Sequence, residues 1–67
     1  MDIGKTISER RHQLRITQND LAEMAEVSIA TVKDIERGKG NPSISTLGKI
    51  CTVLELVMKL ELKKAEI

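Results

Sequence analysis

Apolar and polar positions along the chain fall into five segments, four with the period of a helix and one with the period of a strand. From Ile3 to Leu14 the large apolar residues stand at Ile3, Ile7 and Leu14, one helical stripe, with Arg10, Arg11, His12 and Arg15 mostly off it. Thr17 then offers a side-chain oxygen as N-cap, and Asp20 adds negative charge to the first turn of a helix running to about Ala25, with Leu21, Met24 and Ala25 inward. Ser28 is the next N-cap candidate. The helix it opens, Ile29 to Arg37, turns Val32 and Ile35 inward and stops at Gly38. "GKGNPS" is dense in turn formers, and Pro42 prevents helix continuation through Asn41. Ser45 can cap a fourth helix whose Leu47, Ile50, Cys51 and Leu54 stand at i, i+3, i+4 and i+7.

After Leu56 the period becomes strict alternation. Leu56, Met58, Leu60 and Leu62 face one way, and Val57, Lys59, Glu61 and Lys63 the other, which predicts a strand. Nothing else in the chain reads as a strand, so its partner is most simply the same strand of a second copy, paired antiparallel about a two-fold axis. The expected organisation is a helical domain over residues 1–55 and a dimerisation element over 56–67.

Length narrows the choice. At 67 residues a single core is only just sufficient, and with no Phe, Tyr or Trp it must be packed from Ile, Leu, Val, Met and Ala, which favours a homodimer. One cysteine excludes an internal disulfide, and Cys51 with the lone His12 excludes a Cys/His zinc site within one chain. Cys51 reads as core and His12 as surface. No nucleophile, base and orienting group share a pattern, and no glycine-rich phosphate loop is present, so neither an enzyme nor a cofactor is expected. No apolar run reaches membrane-spanning length and no signal peptide is visible; a soluble, cytoplasmic protein is expected.

The formal charge of +1 is unevenly spread: +2 over residues 1–16, −3 over 17–37 and +2 over 38–67. Bulk electrostatics alone therefore does not predict nucleic-acid binding. The geometry of the two central helices says more. Each is too short to be stable alone, and with only Glu26 and Val27 between them they must cross steeply and lean on the rest of the domain. A short helix projecting its N-terminal end fits the DNA major groove.

The stretch "TQNDLAEMAEVSIATVKDIERGKGNPSISTLGKI" resembles the helix-turn-helix of the lambda repressor/Cro (Xre) family. Thr17-Gln18, Leu21-Ala22, Val32, Ile35-Glu36, Gly38, Pro42 and Thr46-Leu47 carry the likeness, over about residues 3–55. The family usually has glycine where this chain has Glu26; a left-handed Glu26 costs on the order of 1 kcal/mol relative to glycine. The resemblance implies an all-α, four-helix, lambda-repressor-like DNA-binding domain, joined here to the C-terminal strand. It also implies an ion pair between Arg11 and Glu36, and a phosphate contact from Gln18. Ser28 resembles a cap that also touches phosphate. Ile29, Ala30, Thr31, Lys33 and Asp34 occupy or flank the base-reading face, where Ile29 and Ala30 suit thymine methyls, Lys33 guanine or phosphate, and Asp34 cytosine. Arg37, Lys39, Gly40, Asn41 and Ser43 surround a loop that supplies backbone contacts.

Several of these have a plainer reading. Ile29 could instead be a core residue at the start of its helix, Asp34 and Glu36 part of a solvated face, and Arg10 and Arg15 solvated cations rather than phosphate contacts. The function these expectations describe is a sequence-specific repressor, dimeric through Leu56, Val57, Met58, Lys59, Leu60, Glu61 and Leu62, acting on double-stranded DNA. A bare helix-turn-helix with a short strand also resembles the HipB-like antitoxins, which repress their own operon and bind a HipA-like kinase toxin. The alternative is a protein-interaction module that neutralises or scaffolds a partner and binds DNA weakly.

Overall fold

The computed structural model describes residues 2–59, in which four helices follow one another: α1 (Ile3–Gln13), α2 (Gln18–Ala25), α3 (Ile29–Glu36) and α4 (Ile44–Leu54). α2 packs against α3 and α4, and α1 closes the bundle against the same two helices. The core is aliphatic: Ile7, Leu21, Ala22, Ala25, Val32, Ile35, Ile50 and Leu54 form one buried cluster, with Cys51 buried in α4. No helix among the described residues is long and apolar enough to cross a membrane.

Every helix starts at a side-chain cap. Asp2 accepts from the Lys5 amide at 3.0 Å, and Ser28 from that of Thr31 at 3.1 Å. Thr17 and Asp20 form a reciprocal capping box, each side chain accepting from the other's backbone N–H, at 3.0 and 2.8 Å. The fourth cap is Ser43, which accepts from the Thr46 amide at 3.0 Å, rather than Ser45. Pro42 stops a helix from running back through Asn41, and Ser43 follows it directly.

Every helix also ends alike. The amides of Ile16, Val27, Lys39 and Leu56 reach back five residues to the carbonyls of Arg11, Ala22, Asp34 and Cys51 at 3.3, 2.9, 2.8 and 2.8 Å. These are Schellman turns, each needing a left-handed residue just before the donor. The four are Arg15 (φ 58), Glu26 (φ 56), Gly38 (φ 75) and Glu55 (φ 57). Glu26 thus takes the conformation for which the family keeps glycine.

Two helix faces differ from the sequence pattern. Met24 is 58% exposed, and Ala22 takes the inward place expected for it. In α1 the buried positions are Gly4, Ile7 and Arg11, a stripe with spacing three and four, while Ile3 is half exposed. Gly4 lets α1 lie on the end of α3: a Cβ there would stand 2.3 Å from the Ile35 carbonyl oxygen and 2.9 Å from that of Glu36.

The described part of the expected strand, Leu56 to Lys59, is coil rather than strand in the single chain. Leu56 is spent on capping α4 and packing against the core, and the Met58 methyl lies over Gly48, 3.8 Å from where its Cβ would be. Leu60, Glu61 and Leu62 lie outside the described residues.

The two helical glycines should therefore respond oppositely to alanine. Gly4→Ala should destabilise by about 1–3 kcal/mol through forced separation of α1 from α3. Gly48→Ala should be stabilising by up to about 1 kcal/mol, since it meets only ordinary van der Waals contact and removes a helix-interior glycine. Urea unfolding of both variants tests the contrast; a harmless Gly4→Ala would remove the close approach as a constraint.

Candidate nucleic-acid interface

α3 is presented to solvent by two devices at its opposite ends. At its start, the left-handed Glu26 reverses the chain so that only Glu26, Val27 and Ser28 separate α2 from α3. At its end, Glu36 is pinned from inside the domain. Arg11 Nε donates to Glu36 Oε2 at 2.8 Å and Arg11 Nη2 to Oε1 at 3.0 Å, a bidentate pair whose side chains are 9% and 7% exposed. Arg11 Nη1 donates to the Ile16 carbonyl at 2.9 Å, and Gln18 Nε2 donates to Glu36 Oε1 at 3.1 Å. The pair implied by the resemblance is present, and it is buried.

Burial alone would push Glu36 up, but the hydrogen bonds from Arg11 and Gln18 and the Arg11 charge outweigh it and hold the carboxyl below the usual carboxylate range. The hydrogen bonds that Arg11 donates to Glu36 outweigh burial and raise its guanidinium above the ordinary value. At Asp20 the Thr17 backbone N–H, then its hydroxyl, lower the carboxyl. Cys51 is pushed up by burial, as a core thiol should be.

The expected site residues are distributed as follows. Ala30, Lys33 and Arg37 are exposed along one side of α3, while Ile29, Thr31 and Asp34 are half-buried. Ile29 packs against the core cluster, so its plainer reading holds for at least part of the side chain. The Ser28 hydroxyl is occupied by the Thr31 amide and lies 2.8 Å from the Thr31 hydroxyl. Asp34 is paired with Arg37 one turn on, so neither carries an unopposed charge. Lys39, Gly40, Asn41 and Ser43 are exposed in the loop beyond, which Gly38 and Gly40 shape with positive φ. Gln18 is half-buried at the first turn of α2 and already holds Glu36.

Two arginines differ from a simple phosphate-binding role. Arg10 Nε donates to the Leu54 carbonyl at 2.9 Å and so caps the end of α4, with Gln13 also accepting from it at 3.2 Å. Arg15 is exposed, but its backbone is committed to the turn after α1. Neither role has a sequence signal beyond the residue type. For the Gln18 to Glu36 link the only signal was the family pattern, which supplies both residues without joining them.

The local charge is more favourable than the total for residues 17–37. Glu36 is neutralised by Arg11, and Asp20 is committed to its cap. From Ser28 to Ser43 the exposed cations are Lys33, Arg37 and Lys39, opposed by Asp34.

Residues 7–57 match the model of a helix-turn-helix family, HTH_3. The chain belongs to that family, the lambda repressor-like group of helix-turn-helix proteins, which is not enzymatic. It is 41% identical over 54 residues to the immunity repressor protein of Bacillus phage phi105, covering 81% of this chain but only 38% of that repressor's length. Among solved structures it is similar to the restriction-modification controller protein C.AhdI from Aeromonas hydrophila, with TM-score 0.79, 27% identity and coverage of 84% of this chain and 85% of that one. It is likewise similar to the N-terminal DNA-binding domain of SinR from Bacillus subtilis, with TM-score 0.77, 36% identity and coverage of 82% and 81%. The helix-turn-helix of this family corresponds here to α2, the Glu26 turn and α3.

The buried pair makes a specific demand on pH. Because the folded Glu36 value lies below the unfolded one of about 4.3, its stabilisation is full above that pH and is lost as pH falls through the folded value. Glu36→Ala leaves the Arg11 guanidinium buried and unpaired and should cost about 3–5 kcal/mol at neutral pH, whereas the double variant R11M/E36L should recover much of that loss. Urea midpoints of the single and double variants, with melting followed from pH 6 to 3, measure both effects. A Glu36→Ala protein as stable as the parent would contradict the burial of the pair.

Proposed function

We propose that this chain is a sequence-specific, double-stranded-DNA-binding transcriptional regulator, a repressor that places α3 in the major groove. The observation that carries the reading is the exposed side of α3, with Ala30, Lys33 and Arg37, on a helix whose other side is buried and whose end is fastened by Arg11. The family match and the printed descriptions of the relatives, an immunity repressor and a DNA-binding domain, support the same reading. Ile29, Ala30, Thr31, Lys33 and Asp34 are the proposed base-facing group; Asp34 meets Arg37 through Oδ1 and keeps acceptor capacity for a cytosine amine beside that pair. Gln18, Ser28, Arg37, Lys39, Asn41 and Ser43 are the proposed phosphate and positioning contacts. The protein is proposed to act in the cytoplasm.

Repression by occupying a promoter is the simplest mechanism for such a domain, acting as a homodimer on a two-fold symmetric operator. Residues 1–55 are then the DNA-binding part and 56–67 the dimerisation part. Support for the dimer comes from apolar side chains left in water: Val57 is 88%, Met58 45% and Ile44 72% exposed. The part played by Lys59, Leu60, Glu61 and Leu62 is carried by their alternation alone. An antitoxin role toward a HipA-like kinase is supported only by the pattern of "LELVMKLELKK" following the helix-turn-helix.

A protein-interaction module remains the second reading, favoured by Met24, 58% exposed between Glu23 and Glu26 on the outer side of α2. Selection from a random duplex pool at near-physiological salt separates the two: a two-fold symmetric enriched motif belongs to the regulator, and no enrichment to the interaction module.

Ala30→Glu should reduce affinity for the enriched duplex at least tenfold while shifting stability by less than about 0.5 kcal/mol, because the side chain is exposed. Unchanged affinity would move the recognition face elsewhere. Truncation after Leu56 keeps the residue that caps α4 and should convert dimer to monomer in sedimentation while the helices persist. A truncated chain that still sediments as a dimer would place the interface outside the C-terminal segment.

A further inference from the structure

We infer that Glu36 is a positioning residue for DNA binding: it touches no DNA itself, but holds the Gln18 side-chain amide by accepting one of its two N–H bonds, which leaves the second as a donor for a backbone phosphate. The inference rests on the proposed DNA reading and adds to it a dependence of phosphate contact on the interior of the domain.

The argument starts from the two ends of a carboxamide. A glutamine at the start of a helix can turn either its oxygen or its nitrogen toward a neighbour, and only the nitrogen donates. Here the neighbour is Glu36 Oε1, 3.1 Å from Gln18 Nε2. An ionised carboxylate accepts only, so the opposite orientation would set two acceptors against each other. Glu36 stays ionised because Arg11 holds both of its oxygens. The nitrogen carries two hydrogens, and one is spent on Glu36. The other remains as a donor at the first turn of α2, where the backbone dipole also favours an anion.

The carboxylate's own charge does not spoil this arrangement. Its side chain is 7% exposed and bidentate to a guanidinium, so an approaching phosphate meets a neutralised pair and an oriented amide. A surface glutamine contrasts with this. Gln13 has its oxygen taken by Arg10 Nη1 and lies exposed at the end of α1. Gln18 is the one of the two whose amide hydrogen points to an acceptor within the fold.

A double-variant cycle on affinity tests this, using a short random-sequence duplex at low salt, where phosphate contacts dominate binding. In the parent, Glu36→Gln should lower affinity by about fivefold to tenfold, because its carboxamide no longer selects one orientation of Gln18. In a Gln18→Ala background the same substitution should have almost no further effect. Equal losses in both backgrounds would mean that Glu36 acts only by holding the fold, and would overturn the inference while leaving the DNA reading in place. No binding by the parent protein to any duplex would overturn both. Circular dichroism checks that each variant is folded. Should Glu36→Gln unfold, the parent protein itself decides: one Gln18 side-chain amide proton should exchange with solvent more slowly than those of Gln13. Matching exchange for the two residues would overturn the inference.

Discussion

The burial of one ion pair organises this domain. Arg11 projects from α1 into the junction with α3, where it grips both oxygens of Glu36 and also takes the carbonyl of Ile16 in the turn leading to α2. Removing two charges from water costs several kcal/mol, and their mutual attraction does little more than repay it. The consequence is therefore less a gain in stability than a restriction on arrangement: any packing that separates the pair leaves a charge buried alone. α1, the turn after it and the end of α3 are held in one relation, and Gly4 permits it by letting the α1 backbone approach the same end of α3.

The helix ends show how a chain this small stays compact. All four close with the same left-handed turn, but only one of them uses glycine. The difference follows what comes next. After Arg15, Glu26 and Glu55 stand Ile16, Val27 and Leu56, all packed against the core, so apolar burial offsets a strain of about 1–2 kcal/mol at each turn. After Gly38 stands the exposed Lys39, which recovers nothing from burial, and there the unstrained residue is found. Glu26 in place of the family's glycine is thus one of three such turns in the same chain.

How much was legible depended on what each side chain does after folding. Helix starts at Thr17 and Ser28 were readable because a cap is a local event, and Val32, Ile35, Ile50, Cys51 and Leu54 because apolar spacing states a face. The α1 stripe was misread since two of its buried members are Gly4 and Arg11, residues that a hydrophobic pattern treats as blanks. Ser43 and Ser45 are equivalent to such a reading, and the exposed Ile44 between them confuses the first turn. Arg10 reaching the end of α4 and Gln18 reaching Glu36 are contacts across 44 and 18 residues of chain, invisible to any local rule. The candidate DNA face was legible only through family resemblance, because exposed Ala30, Lys33 and Arg37 have no distinguishing pattern of their own.

In the proposed DNA-bound state, the interior pair and the Glu26 turn together present one side of α3, the first turn of α2 and the loop after α3 as a single surface to DNA. Amide chemical-shift mapping of the protein during titration with a duplex tests it most directly. The account predicts that the largest changes fall at Gln18 and within residues 28–43, while Glu23, Met24 and Glu26 stay nearly unperturbed. Changes centred on the outer side of α2 or on α4, with residues 28–43 silent, would contradict it.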